Sequence, residues 1–168
     1  YVADTIGVGT PRRVQAAFEA TLRHFGIDQV AGHFHDTYGQ ALSNTLAALE
    51  LGVWQFDTSV AGLGGCPYAK GATGNVATED VVYMLHGMGI ETGIDLDAMI
   101  AIAETAERLV GHPLPGKVKV GGKPQGSGIT DASHTNKPGV GVCKSASTPC
   151  PMRTLPPGCA AKCQDLKM

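Results

Sequence analysis

The chain has 168 residues, 43% hydrophobic and 17% charged, so it can bury a sizeable core as one domain and is not disordered throughout. Its formal net charge is −2, and no apolar run has the length that a bilayer-spanning segment needs. We therefore expect a soluble protein, with neither nucleic acid nor a membrane among its partners.

The composition changes near residue 120. Residues 1–120 carry seven basic and thirteen acidic side chains, whereas residues 121–168 carry six and two. The second segment is rich in Gly, Pro, Ser and Lys and lacks apolar periodicity. It holds four of the five cysteines, without the close pairs that a zinc site needs. We expect a folded domain over residues 1–120 and an irregular or disordered tail over residues 121–168.

Strand-like and helix-like patterns alternate over the first 58 residues. The opening residues predict a strand that ends at Asp4, and Thr10 and Pro11 predict the start of a helix. Further strands are predicted over residues 29–34 and 53–58, with a helix over residues 40–51 between them. The helices are indicated by apolar residues at helical spacing: Val14, Phe18, Leu22 and Phe25, then Leu42, Leu46 and Leu49 beside Ala41 and Thr45.

A glycine-rich loop follows the third strand, within residues 57–80. We expect Thr78 to cap the next helix, with Glu79 and Asp80 in its first turn, where acidic side chains favour the helix dipole. Asp95 is the expected N-cap of a last helix that ends at Val110. This alternation predicts an α/β fold with a parallel sheet, whose ligands bind at the carboxyl ends of the strands.

Cys66 is the one cysteine of the predicted domain, and it lies between Gly64, Gly65 and Pro67. A free cysteine is commonly a small buried residue. A thiol in a glycine-rich loop, where the backbone can approach a ligand closely, suits chemistry better than packing. We interpret Cys66 as a candidate catalytic residue.

His33 and His35 are two residues apart at the end of the second predicted strand. Their side chains therefore point to the same face, as a shared metal ion requires. The spacing alone leaves open whether they hold a metal or are interior histidines bonded to their neighbours. Asp36 would face the opposite way, which favours a turn or supporting role over that of a third ligand.

Two segments carry a resemblance to a known family. SVAGLGGCPYAKGATGN resembles the active-site signature of the 3-hydroxy-3-methylglutaryl-CoA (HMG-CoA) lyases, and GHFHDTYGQALSNTLAALELGV resembles their metal-binding strand and following helix. The resemblance covers roughly residues 1–110 and leaves out the tail. It implies a (β/α)8 barrel, of which this chain would hold the last three strands as the C-terminal part of a longer enzyme.

The resemblance also implies a metal site. In this family the divalent cation is held by the two histidines of HxHD, by the asparagine that closes the cysteine loop and by an aspartate near the N-terminus. The first three correspond to His33, His35 and Asn75, whereas the aspartate has no counterpart in this chain. Mixed imidazole and oxygen ligands suit Mg²⁺ or Mn²⁺ as a Lewis acid.

The implied reaction is a retro-Claisen cleavage of HMG-CoA into acetyl-CoA and acetoacetate, a step of leucine breakdown and ketone-body formation. Cys66 would transfer a proton, His33 would be a ligand and a candidate proton acceptor, and Asp4 would position the substrate. Gly64 and Gly65 would support the substrate loop. Glu79 and Asp80 are expected either to support that loop or simply to favour the helix dipole.

The implied partners are a CoA thioester substrate and, in the complete enzyme, a second copy in a homodimer. The implied compartment is the cytoplasm for a bacterial source and the mitochondrial matrix for a eukaryotic one. Two alternatives stay open. One is a condensing synthase of the isopropylmalate or homocitrate type, whose loop carries a Glu-Arg pair in place of Cys66 and Pro67. The other is a truncated, non-catalytic fragment.

Overall fold

The fold is a mixed α/β arrangement built on a three-stranded parallel sheet. The computed structural model describes residues 1–65, 71 and 73–122. Its strands are β1 (Val2–Asp4), β2 (Gly32–Phe34) and β3 (Phe56–Asp57), in the order β1-β2-β3. Helix α1 (Pro11–Leu22) links β1 to β2, and α2 (Ala41–Glu50) links β2 to β3. The predicted α/β class with a parallel sheet is confirmed.

The strands align their carboxyl ends at one edge of the sheet. Ala3 pairs with His33 across β1 and β2, and His33 pairs with Asp57 across β2 and β3. Gly32 makes this register possible, because a Cβ atom there would lie 2.9 Å from ring atoms of both Phe34 and Phe56. The register therefore places three polar strand ends side by side.

The main core lies between the sheet and the helices that cover it. Phe18 of α1 meets Phe34 of β2 edge to face, with ring centroids 6.5 Å apart, and both side chains are buried. Phe56 of β3 continues the cluster, 6.4 Å from Phe34. Burying a phenylalanine stabilises the fold by about 1.5–3 kcal/mol, so this cluster holds the strand ends firmly in place.

Two predicted strands are shorter than expected. Ile27–Gln29 forms a short 3-10 turn, which the Gln29 side chain closes by accepting a hydrogen bond from the Gly26 backbone N–H at 2.9 Å. The chain therefore enters β2 only at Gly32, and β3 is likewise limited to Phe56–Asp57. Helix α1 ends at Leu22, so Phe25 lies beyond it and is exposed.

Helix α2 buries a face that is shifted from the predicted one towards Ala41 and Thr45, which were expected only beside it. Leu42 and Leu46 are only half-buried, whereas Ala41, Asn44, Thr45 and Ala48 are fully buried. Small side chains allow the helix to lie close to its neighbours, so they occupy the inner face while the leucines flank it. Periodicity did identify Leu49, which is buried as expected.

Three further helices follow: α3 (Thr78–Gly87), α4 (Leu96–Val110) and α5 (Lys117–Gly121). Asp95 caps α4 as predicted, accepting from the N–H groups of Asp97 and Ala98. The N-cap of α3 is Ala77 rather than Thr78, whose hydroxyl instead hydrogen-bonds the Thr58 hydroxyl at 2.8 Å. No helix in the described ranges is long and apolar enough to cross a membrane.

The proposed boundary at residue 120 stays a prediction. Helix α5 ends at Gly121, and the predicted tail lies almost entirely outside the described residues. The tail cysteines Cys143, Cys150, Cys159 and Cys163 are all outside them as well.

Candidate active site

The two histidines and the asparagine singled out in the sequence lie together at the carboxyl edge of the sheet. The rings of His33 and His35 have centroids 5.2 Å apart. The returning loop pairs Asn75 with His35 in an antiparallel bridge. Backbone hydrogen bonds on both sides fix this pairing: Asp36 N–H to the Gly74 carbonyl and Val76 N–H to the Phe34 carbonyl, each 3.0 Å.

His35 is buried and is oriented by β1. Its Nδ1 lies 3.0 Å from the backbone carbonyl oxygen of Asp4. A carbonyl oxygen only accepts hydrogen bonds, so Nδ1 carries the hydrogen and donates it. In the neutral ring, Nε2 is then the nitrogen with a free lone pair.

His33 is oriented by β3 in the same way. Its Nδ1 lies 3.1 Å from Oδ2 of Asp57, and both side chains are partly exposed, at 32% and 48%. An ionised carboxylate only accepts, so Nδ1 of His33 is again the donor and Nε2 is left free. No role was predicted for Asp57 from the sequence. The feature that could have indicated one is its position, as an acidic residue at the end of the strand next to that of His33.

Asn75 leaves one polar atom unsatisfied. Its Nδ2 donates to the Leu63 carbonyl at 2.9 Å, which fixes the orientation of the amide. Its Oδ1 is buried and has no hydrogen-bond partner among the described residues. Buried acceptors without a partner are rare in native proteins, and an ion or a bound molecule is a common reason for one.

Glycines allow the loop to close on Asn75. Gly64 has a φ of +115°, and a Cβ atom there would lie 2.5 Å from Nδ2 of Asn75. Gly74 has a φ of +102° and lies against the carbonyl oxygens of Gly62 and Gly64. Gly65 is exposed. Cys66 lies outside the described residues, so its place relative to the histidines stays a prediction.

The available donor atoms fit a divalent cation. Two neutral imidazole Nε2 atoms and one amide oxygen are mixed nitrogen and oxygen donors, and divalent cations of the first transition row bind such donors in proteins. No group of three or more His, Cys, Asp or Glu side chains that could hold a metal occurs within the described ranges. His33, His35 and Asn75 therefore stay the predicted ligands, and the three of them are close together at this edge of the sheet.

Asp4 organises the loop that follows β1. Its carboxylate accepts from the N–H groups of Val8 and Gly9, at 3.1 and 2.8 Å, while its own carbonyl holds His35. Asn44 supports the same loop from α2 by donating to the Gly9 carbonyl at 3.1 Å. This role of Asn44 was not predicted from the sequence. The feature that could have indicated it is a polar residue on the inner face of α2.

Glu79 contacts the first part of the glycine-rich loop, and Asp80 contacts the start of α5. Glu79 is fully buried, and its Oε2 accepts from the Ala61 N–H at 3.0 Å. Ala61 has a φ of 54°, which is unfavourable for a residue with a side chain, so this hydrogen bond helps to hold a strained turn. Burial raises the pKa of Glu79, although the N–H groups of Glu79 and Ala61 oppose that shift.

Asp80 fixes the segment that leads into α5. Its carboxylate accepts from the backbone N–H groups of Lys117 and Val118 at 2.7–3.0 Å. The Gly116 N–H donates to the Ala61 carbonyl at 3.0 Å, so the same segment also contacts the strained turn. The two acids of α3 thus do more than favour the helix dipole.

Comparison with known proteins gives a consistent result. The HMGL-like family model matches residues 1–106. The mitochondrial hydroxymethylglutaryl-CoA lyase of Arabidopsis thaliana is 53% identical over 119 residues, which are 71% of this chain and 25% of that protein. The lyase YngG of Bacillus subtilis is 48% identical over 116 residues, 69% of this chain and 39% of its own length.

Solved structures agree with the sequence comparisons. The HMG-CoA lyase of B. subtilis has a TM-score of 0.68 at 47% identity, covering 70% of this chain and 40% of that one. An HMG-CoA lyase of Acinetobacter baumannii, solved with coenzyme A and 3-methylmalate, has a TM-score of 0.70 at 43% identity over 74% and 41% of the two chains.

The chain spans between a quarter and two fifths of the length of these curated relatives. All four proteins are named as lyases, which does not favour the condensing-synthase alternative. The family match covers more than half of the chain and includes every candidate site residue. The chain therefore belongs to the HMGL-like family.

Proposed function

We propose that this chain supplies part of the active site of a metal-dependent lyase that cleaves HMG-CoA into acetyl-CoA and acetoacetate. The observation that carries the proposal is the buried Oδ1 of Asn75, which has no partner among the described residues and lies beside two histidines that are each anchored through Nδ1. The lyases among its relatives, at 48–53% identity, support the same reaction.

The proposed metal ligands are Nε2 of His33, Nε2 of His35 and Oδ1 of Asn75. When bound, the divalent cation supplies Lewis-acid chemistry, which lowers the free-energy cost of forming an alkoxide from the substrate hydroxyl. His33 has only one free ring nitrogen, because Nδ1 contacts Asp57. We therefore assign His33 as a ligand, and while it is bound it cannot also accept the proton through that nitrogen.

The cleavage itself needs two proton transfers. A base takes the proton of the tertiary hydroxyl, the alkoxide oxygen forms the ketone of acetoacetate as the bond between C2 and C3 breaks, and the electron pair of that bond forms the enolate of acetyl-CoA, which is then protonated on carbon. Cys66 is the proposed proton-transfer group at that carbon. Asp4 is the proposed positioning group for the substrate, because its carboxylate has accepting capacity beyond the two N–H groups it already binds.

We further propose that β1, β2 and β3 are the last three strands of a (β/α)8 barrel. The TM-scores of 0.68 and 0.70 against HMG-CoA lyases support this assignment. The A. baumannii complex with coenzyme A supports a CoA thioester as substrate. We also propose that the complete enzyme is a homodimer. Its location would be the cytoplasm for a bacterial source and the mitochondrial matrix for a eukaryotic one, since the relatives include a bacterial and a mitochondrial lyase.

A chimera tests the proposed function. In the B. subtilis lyase, the segment that matches this chain would be replaced by residues 1–106. We expect divalent-cation-dependent release of acetyl-CoA and acetoacetate from HMG-CoA, measured by coupled assay. His33→Ala, His35→Ala and Asn75→Ala should each abolish most of that activity, because each removes a proposed ligand.

His24→Ala is the matched control, since it removes an exposed imidazole beyond the end of α1. It should leave turnover unchanged. A chimera that melts near the parent temperature but forms neither product would contradict the proposal, as would full activity in the three ligand variants.

A further inference from the structure

The contact between Asp57 and His33 is not explained by the stability of the fold. The Asp57 carboxylate makes one hydrogen bond among the described residues, and its partner is His33. Both side chains are partly exposed, and exposed ion pairs typically contribute only about 0–1 kcal/mol. Removing the carboxylate should therefore leave the sheet folded, and its effect on the site can be measured separately.

The contact does decide which ring nitrogen of His33 is available. A neutral imidazole carries its hydrogen on either nitrogen, and only the other one can bind a metal. His35 is held in the Nδ1–H form by the Asp4 backbone carbonyl, which no side-chain substitution removes. His33 has no such backbone partner among the described residues, and its Nδ1 is held by Asp57 alone.

The strand register makes this contact specific. His33 and Asp57 are direct partners across β2 and β3, so their side chains leave the sheet on the same face. His35 follows two residues later on that face, with its ring 5.2 Å from that of His33. The Asp57 carboxylate of β3 thus contacts the ring of His33, whereas the Asp4 carbonyl of β1 contacts the ring of His35.

We infer that Asp57 is a positioning residue, which holds His33 in the tautomer with hydrogen on Nδ1 and so presents Nε2 to the metal site. This inference rests on the proposed function for the identity of the site. Carboxylates that orient a metal-binding histidine in this way typically change metal affinity about 10–100-fold when they are removed. Asp57 was not among the ligands or catalytic residues that the sequence analysis assigned.

The test uses the full 168-residue chain labelled with ¹⁵N-histidine, without metal, at about pH 8.5, where imidazoles are neutral. Long-range ¹H–¹⁵N spectra report which nitrogen of each ring carries hydrogen, and His33→Gln assigns the His33 signals. We expect wild-type His33 in the Nδ1–H form. Asp57→Ala should shift it towards the Nε2–H form, which free histidine prefers in water, and leave His35 unchanged.

Asp57→Asn provides the conservative variant. Its amide oxygen can still accept the Nδ1 hydrogen, so the tautomer should be retained although the charge is lost. Glu50→Ala is the charge-matched control, because Glu50 is an exposed carboxylate at the end of α2. It should resemble the wild-type protein in every measurement.

A second measurement follows Mn²⁺ binding by the electron paramagnetic resonance signal of the free ion. We expect Asp57→Ala to raise the Kd about 10–100-fold and Glu50→Ala to leave it unchanged. An unchanged His33 tautomer in Asp57→Ala would overturn the inference, and so would a changed tautomer with wild-type Mn²⁺ affinity. Absence of Mn²⁺ binding both by the wild-type chain and by the chimera with the B. subtilis lyase would overturn the proposed metal site, whereas the tautomer spectra would still decide what Asp57 does.

Discussion

At the scale of single residues, the side chains of His33, His35 and Asn75 each donate one hydrogen bond to the protein and keep one further atom as an acceptor. Nδ1 of each histidine and Nδ2 of Asn75 donate to protein oxygens, and these bonds fix the rings and the amide. The remaining Nε2 and Oδ1 atoms are left as acceptors. Because the protein itself makes the anchoring bonds, the acceptor atoms keep their orientation without a ligand. The loss of conformational entropy when a ligand binds is therefore smaller.

Gly64 sets how closely the loop can approach Asn75, so Gly64→Ala should displace the amide. A side chain at a φ of +115° is strained by about 1–3 kcal/mol, and its Cβ would overlap Nδ2 of Asn75. We expect Mn²⁺ binding to weaken roughly tenfold or more, measured as a Kd. Gly71→Ala is the control, because Gly71 also has a positive φ but no atom of the described part of the chain lies within 4 Å of the new Cβ. An equal rise of the Mn²⁺ Kd in both variants would contradict a specific role for the contact between Gly64 and Asn75.

Glu79 should make the stability of the protein depend on pH. Burial raises its pKa above the ordinary value of 4.5, so the folded state holds this proton more tightly than the unfolded state. Stability from this group is therefore greatest below about pH 4.5 and falls as the pH rises through the folded pKa. Glu79→Gln should remove this fall in the free energy of unfolding, measured by urea unfolding at a series of pH values from about 4.5 upwards.

Glu104→Gln, at an exposed position of α4, should leave the pH dependence as it is. Glu79→Ala should lower the free energy of unfolding by about 1–3 kcal/mol, because the Ala61 N–H loses its acceptor. A Glu79→Gln variant with the same slope as the wild-type protein would show that another group causes it.

Cys66→Ser tests the proposed proton transfer in the chimera. Serine has nearly the size of cysteine but a far higher pKa than the thiol value of about 8.5, so it transfers protons poorly near neutral pH. We expect kcat to fall about 10²–10⁴-fold with little change in KM or Tm. A lower Tm with normal kcat would instead identify Cys66 as a buried structural residue.

At the scale of elements, the first turn of α3 joins the glycine-rich loop to the C-terminal segment. Glu79 binds the turn at Ala61, and Asp80 caps α5. Lys119 of α5 pairs with Glu107 of α4, which lowers the pKa of Glu107, and Glu107 also accepts from the Leu114 N–H at 2.7 Å. These contacts make α3, α4 and α5 a support for the loop.

Asp80→Ala should loosen α5 selectively. The loss of a capping carboxylate typically costs about 0.5–2 kcal/mol, and α5 has only five residues over which to absorb it. We expect faster hydrogen exchange at residues 112–121, with unchanged exchange in α1 and α2. Asp95→Ala removes the cap of α4 instead, and should affect the start of that helix first. Uniformly faster exchange in Asp80→Ala would mean that the whole fold depends on this residue.

At the scale of the whole molecule, the described sheet has two open edges. β1 and β3 each pair with β2 and with no other described strand. A closed barrel of this type has eight strands, and unpaired strand edges readily associate with other chains. The proposed metal ligands His33, His35 and Asn75 include no acidic residue, whereas the family resemblance implies one.

The purified 168-residue chain should therefore release little or no acetoacetate from HMG-CoA, even with added Mg²⁺ or Mn²⁺. The chimera with the B. subtilis lyase is the positive control, since it supplies the remaining strands. Equal metal-dependent turnover by the chain alone would show that the described strands and ligands are sufficient for the reaction.

The sequence by itself determined the order of the strands and of helices α1 to α4, the parallel α/β class and the shared face of His33 and His35, but it did not predict α5. These follow from local spacing, because helical and strand periodicities are properties of neighbouring residues. It also determined the cap at Asp95, and the two quoted motifs identified the family before any geometry was known. Local spacing was wrong for the inner face of α2, where packing favours small residues over leucines.

Only the tertiary structure decided which atoms of the site are free. The bonds from His33 to Asp57, from His35 to Asp4 and from Ala61 to Glu79 join residues 24, 31 and 18 positions apart. No local pattern encodes such contacts, because they depend on the register of parallel strands and on the path of the returning loop. The sequence therefore named the candidate ligands, whereas the register of the three strands decided their orientation.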